Sequence, residues 1–341
     1  MLKRNTVFVV GAGASKEFDL PVGSELALSI SDKLNVKFDD WGQKIIAGDR
    51  PLFENLSRSN RGNNLTYQKA AWLIRDGIVL AHSIDDFLDV HKDNATVVQY
   101  GKAAIAKCIL EAEASSKLYF KANSNARETV NFAGASTTWL VKLMRLLGRQ
   151  LPHSQRAEIF NRCSFVVFNY DRCIEHFFTN ALTRMYDIRP EEAEEIVSKA
   201  KIEHVYGSPG TLGSATVGNL VTPFGADRAD YAGIGLASIK TYTESVESDR
   251  VRSMVVDSEA VVFLGFAFHD QNMKLLAADG SLKPKAFLGT GFGISESDRE
   301  IVQQQIVDWV EPPRRLDASL KVDIRPALKA ADIFDFYSKT L

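Results

Sequence analysis

Five short clusters in this chain combine residue types and spacing suited to chemistry. The first, Gly11-Ala12-Gly13-Ala14-Ser15, follows the apolar run Val7 to Val10. Small residues at the end of a buried strand let the backbone approach a phosphate, and N–H groups at the following helix start can hold a pyrophosphate. On this reading a β-carbon at Gly11 or Gly13 collides with the ligand. The others are Asn169-Tyr170-Asp171, His204-Val205-Tyr206-Gly207-Ser208, Gly265-Phe266 and Gly289-Thr290-Gly291. Each lies at the end of a segment that reads as a strand, so all five are expected along one edge of a sheet. Strand ends this rich in glycine and polar groups suit an extended ligand such as a dinucleotide. The turn is not the hydride-transfer fingerprint GxGxxG, because its third glycine falls on Lys16.

Several of these residues also have a purely structural reading. The glycine turn can be a tight strand-to-helix turn without a ligand. Asn169 and Asp171 can cap a helix starting near 172, and Asp270, after His269, can cap another. His204 can be a satisfied core histidine. On a strand, residues i and i+2 share a face, so His204 and Tyr206 are expected to point the same way.

The elements that must position these residues alternate between strand and helix. Residues 6 to 10 read as a short buried strand, and the stretches 164 to 178, 202 to 210, 259 to 276 and 283 to 293 each open on a further strand, followed in several by a turn and a helix. Such alternation implies an α/β fold with a doubly wound, parallel, Rossmann-like sheet. From about 40 to 150 the pattern turns polar and helical, with "LTYQKAAWLIRDGIVLAHSIDDFLDVHKD" and "STTWLVKLMRLLGRQL" the clearest helices. The expected organisation is one domain over 1–341. Its core spans 1–40 and 155–310, a helical insertion occupies about 40–150, and a C-terminal extension covers 310–341. Apolar faces on the insertion's helices need burial, so the insertion is expected to cover the site. Residues 211 to 235, rich in Gly, Ala and Thr, read as a mobile loop.

Composition narrows the class. The chain has 341 residues, 45% hydrophobic and 25% charged, with a net charge of −2, which gives no support to nucleic-acid binding. Three cysteines without CxxC spacing fit a reducing compartment and make no four-cysteine zinc site, so neither zinc nor another metal is expected. The longest apolar run, residues 260 to 268, is too short for a membrane span, and the expected location is cytoplasmic.

Taken in order, "GAGAS" with "LPVG", "FNYD", "HVYGS" and "GFAFHDQN" resemble the sirtuin-like superfamily. The likeness is strongest to the bacterial branch that lacks the zinc-ribbon deacetylase module and destroys NAD in phage defence. "SIDDFLD" (83 to 89) resembles a recurring helical element of that branch. The resemblance implies that Gly11, Ala12, Gly13 and Ser15 hold the NAD pyrophosphate, with Pro21, Gly207, Ser208, Phe266 and Asp270 also at the nucleotide. It places Asn169 and Asp171 beside the nicotinamide ribose and carboxamide, and Gly265 near the adenosine ribose. The branch usually has histidine immediately before the glycine of "HG"; here Tyr206 stands there and the histidine is His204. Between them His204 is the expected proton acceptor, since an imidazole near pKa ~6.5 accepts a proton at neutral pH and a phenol near ~10 does not. The implied activity is NAD hydrolysis to nicotinamide and ADP-ribose, gated by a homo-oligomer or by a regulatory partner such as a defence-system ATPase. The alternatives are a non-catalytic NAD or ADP-ribose sensor and, disfavoured by the missing zinc ribbon, a protein deacylase or ADP-ribosyltransferase.

Overall fold

The computed structural model describes residues 2–59, 64–121, 129–213, 221–227, 230–245, 249–277 and 282–341. Six parallel strands form the central sheet: β1 (Thr6–Val10), β2 (Cys163–Val167), β3 (Lys201–His204), β4 (Ala260–Leu264), β5 (Ala286–Thr290) and β6 (Lys321–Arg325). Their spatial order is β3-β2-β1-β4-β5-β6, with every neighbouring pair parallel. This is the Rossmann order, in which the winding direction reverses beside the first strand.

The apolar strands follow from burial on both faces. Val7, Val9, Val166, Val261 and Phe263 join one hydrophobic cluster, while Phe8, Val10, Phe165, Val262 and Leu264 join the other. The first face carries α1 (Gly23–Lys33), α2 (Asn64–Gly77), α3 (Ile84–Val90) and α4 (Ala95–Ser115). The second carries α5 (Trp139–Leu147) and α6 (Cys173–Met185). Toward the C-terminus, α7 (Asp270–Leu276) and α8 (Glu296–Asp308) return to the first face, and α9 (Ala330–Phe336) lies on the second.

Three features differ from the sequence reading. The helical region at about 40–150 is not one unit: α2 to α4 cover one face of the sheet, whereas α5 packs on the other through Trp139 and Leu140. The core does not stop at 310, because β6 pairs with β5 from Ala286↔Lys321 to Thr290↔Arg325 and α9 buries Ile333 and Phe334. The segment read as a loop at 211–235 runs into a helix, Tyr231–Ser238, that packs on α4; its residues 214–220 and 228–229 lie outside the described residues. Among the described residues, no helix is long and apolar enough to cross a membrane.

Candidate functional site

The chain leaves β1 through Gly11 and makes one helical turn, Ala12–Ser15. Gly11 donates its N–H to the Leu264 carbonyl (2.9 Å) and Gly13 donates to Gly265 (3.0 Å). A β-carbon on Gly11 would lie 2.5 Å from the Gly265 carbonyl oxygen, and one on Gly13 would lie 2.8 Å from it. Gly265 itself has φ +55°, and a β-carbon there would meet the Ala14 nitrogen at 2.0 Å. The glycines therefore interlock two strand-end loops. This corrects the expectation that a side chain here meets the ligand first, since it meets neighbouring backbone. Gly13→Val is accordingly expected to cost on the order of 3 kcal/mol of stability, a strained-core penalty, and to lower nucleotide binding. Thermal and urea unfolding check this; wild-type stability in the variant would remove the interlock.

Beyond the carboxyl edge of the sheet lies a cavity of about 750 Å³, within the usual size for a small-ligand site. Five strand ends reach it, with Gly11 to Gly13 after β1, Asn169 after β2, Tyr206 after β3, Gly265 after β4 and Thr290 at the end of β5, and beyond β6 the start of α9 joins them through Leu328 to Ala330. It straddles β1 and β4, where the strand order reverses and open α/β sheets bind ligands. The facing wall comes from Pro21 to Ser24 at the start of α1 and from His82 to Asp85 at the start of α3. Of the helical region at about 40–150, His82 to Asp85 border the cavity.

Asn169 lies on the cavity wall with its amide held on three sides. Its Nδ2 donates to Ser15 Oγ (3.1 Å) and to Asp171 Oδ2, and its Oδ1 accepts from the Tyr170 N–H (2.8 Å). Ser15 Oγ donates to Asp171 Oδ2 at 2.6 Å. Asp171 Oδ1 accepts from the Cys173 N–H at 3.0 Å, so this carboxylate serves the first turn of α6. Ser15 and Asp171 are buried behind the wall and do not line the cavity. They fix the amide rather than touch a ligand.

The structure does not bring His204 into the cavity. Its Nε2 lies 2.7 Å from Glu175 Oε1 and its Nδ1 lies 3.4 Å from the Asn169 carbonyl. Burial pulls the imidazole pKa down, but the charge and hydrogen bond of Glu175 outweigh it and hold the pKa above the ordinary value. The shared face expected for His204 and Tyr206 fails because β3 ends at His204 and Tyr206 belongs to the following turn. Tyr206 does line the cavity and donates to Asn272 Oδ1 at 2.5 Å, with burial raising its phenol far above the usual range. Gly207 and Ser208 lie off the cavity. Gly207 has φ +75° beneath the Ser238 carbonyl, and Ser208 donates to Gly210. Asp270 is the first residue of α7, exposed and off the cavity, and His269 holds the N-cap position. Ala12, Pro21 and Phe266 do line it.

His82, Asp85 and His269, to which the sequence reading gave no role, also reach the cavity. Asp85 follows the helix cap Ser83, which accepts from the Asp86 N–H at 3.1 Å. The "SIDDFLD" stretch was the available signal, but it did not single out Asp85. Burial pushes the Asp85 carboxyl up to about 7, although the Tyr170 hydroxyl donates to Oδ1 and opposes the shift. Burial also lowers the His269 imidazole, with nearby His82 adding to the effect. At the other end stand Lys16, Glu17 and Lys329. Glu17 accepts from the N–H groups of Trp139 and Ala331, both at 2.8 Å, tying α5 and α9 to this rim. Among the described residues, no group of three His, Cys, Asp or Glu is placed to hold a metal ion. Compared with protein-family models and with curated protein sequences, the chain has no significant match.

Proposed function

We propose that this chain binds NAD at the carboxyl edge of its sheet and hydrolyses the bond between nicotinamide and ribose. The observation that carries the reading is the single cavity joining the glycine turn, Asn169 and Gly265 at the point where the strand order reverses. The motif likeness to sirtuin-like NAD hydrolases supplies the choice of nucleotide and of bond. The leaving pyridine departs neutral, so no general acid is required. The protein must hold the ribose, tolerate positive charge at the anomeric carbon and activate a water, which is glycoside cleavage without the acid. Asn169 orients the ribose or the water. The proton acceptor is His269, which lines the cavity and whose imidazole pKa is held below the ordinary value by partial desolvation and by nearby His82. His204 is assigned a supporting place behind Asn169.

A non-catalytic NAD or ADP-ribose sensor is the second reading, favoured by one observation: the Tyr206 hydroxyl and both His204 nitrogens have partners other than a ligand. The setting in antiviral defence, and gating by an oligomer or a regulatory ATPase, rest on the motif likeness alone. Incubation of the purified chain with NAD, followed by chromatography for free nicotinamide, separates the readings. Nicotinamide and ADP-ribose in equal amounts are expected. Calorimetric binding of NAD without product, with or without added partners, would replace the hydrolase by the sensor.

A further inference from the structure

Asp85 is buried, at 8% exposure, yet lines the cavity. Its carboxylate accepts from the Tyr170 hydroxyl. Asp86 and Asp89 of its own helix add negative charge. Among the described residues, no lysine or arginine stands within salt-bridge reach of it. The ion pair contributed by the helices packed on α3, Lys102 with Glu244, is satisfied within itself at 2.7 Å. Four rings that line the same cavity run in an unbroken series beside it. Their centroids are separated by 5.0 Å for Phe266–Phe168, 6.1 Å for Phe168–Tyr206 and 6.2 Å for Tyr206–Tyr170.

A buried carboxylate calls for a positive partner, and aromatic walls exclude a strongly hydrated one. A flat, delocalised organic cation meets both demands, because its charge is spread over a ring that can stack and little hydration is lost on burial. We propose that Asp85 and these four rings form a seat for a planar aromatic cation, so that the cavity selects the pyridinium form of a nicotinamide dinucleotide over the neutral dihydropyridine form. The inference rests on the dinucleotide reading above and adds the redox form that the site accepts.

The sign of the pH dependence follows from which form of Asp85 binds. Only the ionised carboxylate attracts the cation, and burial holds this group near 7. Its ionised fraction rises roughly tenfold between pH 6 and pH 8, and the apparent affinity rises with it. The other titratable groups facing the seat are Tyr170 and Tyr206, both pushed upward by burial, with His82 and His269 around the cavity. His82→Gln and His269→Gln variants separate their titration from that of Asp85.

The test is calorimetric titration with 1-methylnicotinamide, a permanent pyridinium lacking a ribose bond, against neutral nicotinamide, and with NAD against NADH. The wild type is expected to prefer each cation at least about tenfold. The preference for 1-methylnicotinamide should grow about tenfold from pH 6 to pH 8, also in the two histidine variants, while nicotinamide binding stays flat. Asp85→Asn, nearly isosteric, should remove the preference and the pH dependence together. Should that variant not fold, the wild-type pH series decides. Equal affinities for cation and neutral probe, a preference that survives Asp85→Asn, or no binding of either cation would overturn the seat. Because 1-methylnicotinamide has no bond to hydrolyse, a protein that prefers it but never cleaves NAD keeps the seat and loses only the hydrolase reading. Turnover of NAD with no cation preference has the opposite meaning.

Discussion

Replacing Asn169 with alanine is expected to lower nicotinamide release by a factor of about 10² to 10³, the usual cost of removing one preorganised polar group from a reacting centre. The size of the effect comes from rigidity. The amide is held by Ser15, Asp171 and the Tyr170 N–H, so it cannot rotate away from whatever it orients. Folding should survive, because Ser15 and Asp171 keep their direct bond at 2.6 Å and Asp171 keeps the Cys173 N–H. The lost hydrogen bonds cost about 1 kcal/mol each. Ser15→Ala should give a milder loss of kcat with little change in KM, since it loosens the amide without deleting it. The measurement is nicotinamide by chromatography alongside NAD affinity by calorimetry. If Asn169→Ala turns over within about threefold of the wild type, Asn169 has no part in the chemistry.

Why Asn169 was legible and Asp85 was not is a question of sequence distance. The strands that bury both faces, β1, β2, β4 and β5, announce themselves as short apolar runs, and the polar cluster after each marks the sheet edge. Asn169, Gly11 and Gly265 could therefore be placed by counting from the end of a run. Strand β6 carries no such signal. Its residues Lys321, Asp323 and Arg325 alternate with Val322 and Ile324, because only one face of this edge strand packs on the core. The core consequently read as ending too early. His204 misled for a local reason: alternation holds only inside a strand, and β3 stops at that residue. Gly11 and Gly13 read as points of close approach to a ligand, whereas the approaching group is the backbone of another loop, which no single stretch of sequence displays. The partner of the buried Asp85, Tyr170, lies 85 positions away in the chain.

The helical region that supplies Asp85 is bolted to the Asn169 loop at a second point, and breaking that bolt should have the largest effect on folding. Glu113, near the end of α4, and Arg172, just after Asp171, are both fully buried. Arg172 Nε donates to Glu113 Oε1 at 3.0 Å, and Nη2 donates to Oε2 at 2.5 Å. The Arg172 N–H and the Gly225 N–H also donate to this carboxylate, at 3.2 and 2.9 Å. The remaining guanidinium donors reach the carbonyls of Thr222 and Pro223. Burial raises the Glu113 pKa, and Arg172 is the main opposing influence. Glu113→Gln keeps the shape but leaves a buried guanidinium without its counter-charge, which is expected to cost about 3–5 kcal/mol. The double variant Glu113→Leu with Arg172→Leu removes both charges together and should recover part of that loss, so the two effects will be far from additive in a double-mutant cycle. Any stable variant that lacks the pair should also bind NAD less tightly, because Asn169 and Tyr170 then lose their tether to the wall they face. Urea unfolding gives the cycle and calorimetry the affinity. Additive losses, or unchanged NAD binding without the pair, would mean that α4 and the Asn169 loop are held together by apolar packing alone.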